Sequence, residues 1–150
     1  MNAKQGAVLC WLATADLNGQ PNVSPKELWE IKDDKIIIAQ VASPKSRKNI
    51  SVNLNVCVST VNIFTQKGTK YIGKAQLVQE GDQDYKRFAA SLLLLAGEDF
   101  PFREVIVVDI EKEEAILAPR YRFYPETTEE NQIADSWKSY QVDAYKKKLM

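Results

Sequence analysis

Histidine is absent from the 150 residues. No Ser-His-Asp or Cys-His machinery can form, no zinc can be held by imidazole, and no imidazole can act as general base. Any chemistry must run on Lys, Arg, Tyr, carboxylates or a cofactor that brings its own reactivity. Cysteine is scarce. Cys10 and Cys57 stand apart in apolar, strand-like runs, which suits buried free thiols in a reducing compartment, and two isolated cysteines make no metal site. Net charge is missing as well: 20 basic residues face 20 acidic ones, and no basic run is interleaved with aromatics, so nothing points to nucleic acid or an anionic membrane. The longest apolar run, residues 88–96, is interrupted by Ser91 and falls far short of the ~20 residues that span a bilayer. Residues 1–6 resemble neither a charged nor an apolar leader. The expectation is a cytoplasmic chain forming one domain over residues 1–150.

What is present reads mainly as strands. Residues 7–14 predict a first strand, and the Asn18-Gly19 turn leads to a second over 22–31, where Pro25 demands an irregular or open edge. Residues 35–41 predict a third strand, 44–53 a short helix, 56–63 a fourth strand and 71–78 a fifth. Helical spacing of Tyr85, Phe88, Ala89, Leu92, Leu93 and Ala96 predicts a helix over 82–96, with Asp82 as cap and Gly97 as stop. Strands over 105–110 and 115–118 follow, joined by a turn rich in Glu and Lys. Residues 119–125 are aromatic and irregular; Thr127 and Glu130 predict a capping box for a helix through Lys146 that places Ile133, Trp137 and Tyr140 on one face. The pattern argues a small β-barrel with peripheral helices, residues 119–150 being an aromatic extension.

The helix predicted at 44–53 carries the functional signal. Ser43 is a good N-cap and Pro44 fits the first helical position. Yet its first turn holds Lys45, Arg47 and Lys48 and no acid, although a helix N-terminus already presents unpaired N–H groups and positive charge. Solvated surface cations are one explanation. The other is an anion: free N–H groups, the Ser46 hydroxyl, a guanidinium and ammonium groups suit a phosphate monoester. Lys26 is the second candidate, on a strand expected to pair with 35–41, although a strand lysine ordinarily reaches solvent. The carboxylates at 111–114 and 129–130 read as turn and capping residues, and no side chain is assigned a catalytic role.

Four stretches in order carry a family resemblance: Asn18-Gly-Gln-Pro21 before a strand ending Pro25-Lys26, the strand Ile36-Ile-Ile-Ala39, the Ser46-Arg-Lys48 triplet with Asn53, and Tyr71-Ile-Gly-Lys-Ala75. They resemble the pyridoxamine 5′-phosphate oxidase-like family of FMN-binding split β-barrels, over residues 7–78 and more loosely to 118. The resemblance implies a homodimer with FMN at the interface, and Ser46, Arg47 and Lys48 as ligands of the FMN phosphate. It places Lys26 near the flavin and Ser24, Pro25, Ala39, Gln40 and Val41 along the isoalloxazine ring. A nicotinamide or other small-molecule electron donor is implied. The chain lacks the C-terminal Arg-x-His segment with which pyridoxamine phosphate oxidases grip substrate, so the resemblance points to a related FMN-dependent oxidoreductase. A non-catalytic flavin carrier, sensor or electron-transfer flavoprotein, or a module binding phosphorylated metabolites, are the alternatives.

Overall fold

The computed structural model describes residues 6–150; residues 1–5, read above as lacking a leader, lie outside the described residues. The strands are β1 (Cys10–Ala15), β2 (Pro21–Lys26), β3 (Trp29–Lys32), β4 (Lys35–Ala39), β5 (Asn55–Asn62), β6 (Lys67–Gln79) and β7 (Glu104–Leu117). Helix α1 (Pro44–Val52) joins β4 to β5, α2 (Tyr85–Ala96) joins β6 to β7, and α3 (Pro119–Phe123), α4 (Glu129–Ser139) and α5 (Val142–Leu149) follow β7. All strand pairs are antiparallel, in one sheet of order β2-β1-β5-β6-β7-β4-β3.

The two edges of this sheet, β2 and β3, are separated in sequence only by Glu27 and Leu28. The three Cα–Cα steps from Lys26 to Trp29 span at most ~11 Å, so the edges must approach and the sheet must curl into a half-barrel. The single strand expected over 22–31 therefore divides, one part pairing with β1 and the other with β4. Pro25 sits on the β2 edge, where its missing N–H costs no ladder bond.

Inside the barrel lie Leu12, Trp29, Ile36, Ile38, Val58, Ile106 and Val108, together with Ile50 from α1. On the outer face of β4 and β7, Ile37, Ala39, Val105 and Val107 pack against Tyr85, Phe88, Ala89 and Leu92 of α2. Burial on both faces explains the unbroken apolar runs 36–39 and 105–108. Leu93, expected in the α2 stripe, is exposed. Asp84 occupies the α2 N-cap position in place of Asp82, whose carboxylate accepts from the Gln79 N–H instead.

The turn expected at 111–114 is strand: β7 is continuous, 112–114 pairing with 70–72 of β6 and Glu111 standing at the register shift. Lys112 and Lys70 hydrogen-bond Glu114 and hold its carboxyl down to about 2. A register shift between Ile72 and Gly73 bends the long hairpin, and a Cβ on Gly73 would lie 2.0 Å from the Asp109 carbonyl oxygen.

The C-terminal expectation needs three corrections. Residues 119–123 form a helical turn, Thr128 rather than Thr127 caps α4, and the helix breaks at Gln141, whose φ is 53°. The buried face of α4 is Gln132 and Ser136; Ser136 Oγ donates to the Phe64 carbonyl at 2.8 Å. Ile133 is exposed, while Trp137 and Tyr140 meet the Phe64 ring at centroid distances of 6.0 and 6.2 Å.

Candidate functional site

The end of β2, the end of β4 and the start of α1 converge at the seam of the half-barrel. Lys26 closes β2 opposite Cys10 and is only 5% exposed. Its ammonium donates to Ser43 Oγ and, at 3.5 Å, to Gln40 Oε1. Ser43 Oγ in turn donates to Gln40 Oε1 at 2.8 Å, and Gln40 Nε2 donates to the Ser43 carbonyl at 2.8 Å. Burial pushes the Lys26 pKa below the ordinary 10.5, against an opposing pull from Cys10. Among the described residues no carboxylate pairs with it.

This network changes the role expected of Ser43. It stands at the N-cap position of α1, but its side chain makes no capping bond because it is engaged with Lys26 and Gln40. The first N–H groups of α1 are thus left without a side-chain acceptor, and no acidic residue stands in the first turn. Local sequence chemistry named the cap; only the fold shows the hydroxyl drawn elsewhere.

Ser46 is fully buried, and its hydroxyl meets Ser24 Oγ at 2.7 Å and accepts from Asn22 Nδ2 at 3.3 Å. It ties α1 to β2. Asn49 does the same for β1 through Thr14 Oγ1 at 3.0 Å, and Asn53 Oδ1 receives the Asn55 N–H at the start of β5. Arg47 Nε and Nη2 donate to the two Glu104 oxygens at 2.8 and 3.1 Å, while Lys48 lies exposed on α1.

Two hollows flank the Lys26–Gln40–Ser43 network. Pro25, Lys26, Ala39 and Val41 line a cavity of about 860 Å³ whose walls also include Leu95 and Phe100 from the end of α2 and the loop beyond. Gln40 and Arg47 line a cleft of about 430 Å³ with Gln79, Arg103 and Glu104. The structure therefore brings together eight of the nine residues named from sequence: six line the two hollows, and Ser24 and Ser46 brace α1 behind them. Lys48 lines neither hollow. Sequence reasoning missed Glu104. Its only signal is a lone carboxylate preceding the apolar run 105–108, and its partner is 57 positions away.

A sequence profile of the family described as Pyridoxamine 5′-phosphate oxidase matches residues 2–116. The chain belongs to this family. The match ends within β7, so the C-terminal helices lie beyond what defines the pyridoxamine 5′-phosphate oxidase family. Solved structures agree on the fold. A single-residue variant of HupZ from Group A Streptococcus is similar with a TM-score of 0.65 at 22% identity, covering 77% of this chain and 96% of its own. An FMN-binding protein from Syntrophomonas wolfei subsp. wolfei gives 0.62 at 20% identity, covering 75% and 80%. HutZ, the heme storage protein from Vibrio cholerae, gives 0.60 at 17% identity, covering 76% and 88%. No curated protein matches the chain. In this chain every sequence-named residue except Lys48 lies in or behind the two hollows, and that one stands on the same helix as Ser46 and Arg47.

Proposed function

We propose that the protein is an FMN-binding, FMN-dependent oxidoreductase that works as a cytoplasmic homodimer, residues 1–150 forming one split-barrel unit with 119–150 as its extension. The observation that carries the reading is the pairing of two unmet positive features. Among the described residues a buried ammonium, Lys26, hydrogen-bonds only Ser43 and Gln40 and meets no carboxylate, and it adjoins a helix N-terminus without a side-chain cap bond or acid. A phosphate monoester at the start of α1 and an electron-rich ring edge at Lys26 satisfy both.

The residues fit that group in detail. Exposed Lys45 offers a backbone N–H group, Arg47 offers charge-assisted bonds from the cleft with exposed Lys48 next to it on the helix, and the Ser46 hydroxyl holds the helix end against β2. Pro25, Ala39 and Val41 give an apolar wall on which a flat ring rests, with Lys26 at its polar edge and Gln40 beside it. Leu95 and Phe100 add further apolar surface to the same cavity. When bound, FMN supplies the redox chemistry, which suits a chain without histidine. Lys26 then favours negative charge on the ring, because a buried cation acts in a low dielectric. A nicotinamide or other small-molecule donor would reach the ring through the larger cavity.

Exposed Trp11 and Val23 lie on one face of β1 and β2 and support a second copy as the covering partner. The absence of a histidine and of an assigned acid–base group also favours a second reading, a flavin carrier that turns over no substrate. The deciding measurement is the visible spectrum of the purified protein with its released cofactor identified. A flavin spectrum with FMN released supports binding; colourless protein that stays so after incubation with FMN overturns it. Faster reoxidation of the reduced protein by quinones or nitroaromatics separates enzyme from carrier.

A further inference from the structure

We infer that Glu104 is a positioning residue of the anion site, holding Arg47 by one edge so that its other edge meets the phosphate. The inference rests on the flavin-nucleotide reading above. Glu104 opens β7, its backbone carbonyl receives the Gln40 N–H at 2.9 Å, and it sits opposite Gln79 of β6. The carboxylate is thus fixed to the sheet. Its side chain is 11% exposed, whereas that of Arg47 is 47% exposed. The buried carboxylate is the anchor, and the half-exposed guanidinium is what it orients.

The fork is side-on. Of the five guanidinium N–H groups, one on Nε and one on Nη2 go to Glu104, and the remaining three have no acceptor among the described residues. Two of those three, one on Nη1 and one on Nη2, form the end-on edge, which bonds a phosphate bidentately. The cleft of about 430 Å³, lined by Gln40, Arg47, Gln79, Glu80, Arg103 and Glu104, leaves room beside it, and the Glu80 carboxylate is met by Arg103 at 3.5 Å. Arg47 does not leave Glu104 to do this. Its departure would strand a buried carboxylate without a partner, which is strongly unfavourable. The ion pair stays closed and the phosphate adds to it.

Two consequences of Glu104 oppose each other. Its charge repels a phosphate, but the guanidinium stands against it and cancels most of that field. Its hold also removes rotamer freedom that Arg47 would otherwise lose on binding. With the charge cancelled, the ordering effect dominates and Glu104 favours the phosphate.

The test compares FMN and riboflavin affinities, by quenching of flavin fluorescence, for wild type, Arg47→Ala, Glu104→Ala, Glu104→Gln and the Arg47→Ala/Glu104→Ala double variant. Glu104→Ala is expected to weaken FMN about tenfold and riboflavin less than about twofold. The double variant is expected to bind FMN no worse than Arg47→Ala, because Glu104 acts only through Arg47. Glu104→Gln keeps the shape and one acceptor, so a loss of about threefold is expected even where Ala disturbs folding. Unchanged or tighter FMN binding in both Glu104 variants, with Arg47→Ala still weakened, overturns the positioning role and leaves the flavin reading intact. Equal losses for FMN and riboflavin assign Glu104 to the fold and overturn it too. Failure of the wild type to bind FMN overturns the reading and the inference together.

Discussion

At the start of α4, Thr128 Oγ1 accepts from the Asn131 N–H at 3.2 Å, and Glu129 and Glu130 put negative charge in the first turn. At the start of α1, Ser43 occupies the same position with its hydroxyl turned to Lys26 and Gln40, and the first turn carries cations. One helix end is satisfied from within the chain. The other is left electropositive, beside a buried ammonium that meets no carboxylate among the described residues. The contrast teaches that an uncapped start without acids is not by itself a ligand site, since α2 shares both features; what sets α1 apart is the buried Lys26 beside it, and the proposal above rests on that pairing.

The contrast can be broken most forcefully by removing the cations of α1. Arg47→Ala with Lys48→Ala is expected to weaken FMN at least about 100-fold, since each charge-assisted bond contributes ~1.5–3 kcal/mol, with riboflavin little affected. A fluorescence titration of both flavins checks it, and equal losses would assign the pair to folding. Making α1 resemble α4 is the next test. Ser43→Asp is expected to raise stability by about 0.5–1 kcal/mol through the new cap and to weaken FMN about tenfold by repulsion. Urea unfolding and the same titration must move in opposite senses. The reverse change, Thr128→Ala, is expected to cost about 1 kcal/mol of stability and leave FMN affinity alone.

The smallest effect sharpens the other half of the comparison, Lys26. Unfolded, it titrates near 10.5, and folded its pKa lies lower. Between the two values the unfolded chain binds more protons, so stability rises with pH across that interval, and the burial cost is fully present below it. Lys26→Met removes the cost. Its stability gain over wild type is therefore expected to shrink as pH climbs towards 10.5, which unfolding curves at stepped pH will show.

Local chemistry was readable in the sequence where one segment decided the outcome. The α1 start with Pro44, the Asn18-Gly19 turn and the Gly97 stop all rest on neighbours in the chain, and the structure has each; the strand expected at 35–41 is present over 35–39. Non-local pairing was not readable. Residues 111–114 have turn-like composition, yet pairing of 112–114 with β6 keeps the strand extended, with Lys70 across from Glu114 and Lys112 beside it on β7. Gln141 breaks the terminal helix in a left-handed conformation that its side chain does not advertise. The burial of Lys26 and the grip of Glu104 on Arg47 depend on how the barrel closes, and no spacing in the sequence encodes them.

The crossing at Glu27 and Leu28 has a consequence for how this protein tolerates change. Because the same stretch delivers Lys26 to one margin of the sheet and Trp29 to the other, the Leu28 carbonyl bonding the Ala39 N–H at 2.9 Å, length there is a shared gauge. One added residue would slip β3 by a half-pleat and turn Trp29 outward, and at the same stroke withdraw the ammonium from Gln40. Barrel closure and the lysine's aim are thus set by a single dimension of the chain, and neither can drift without the other.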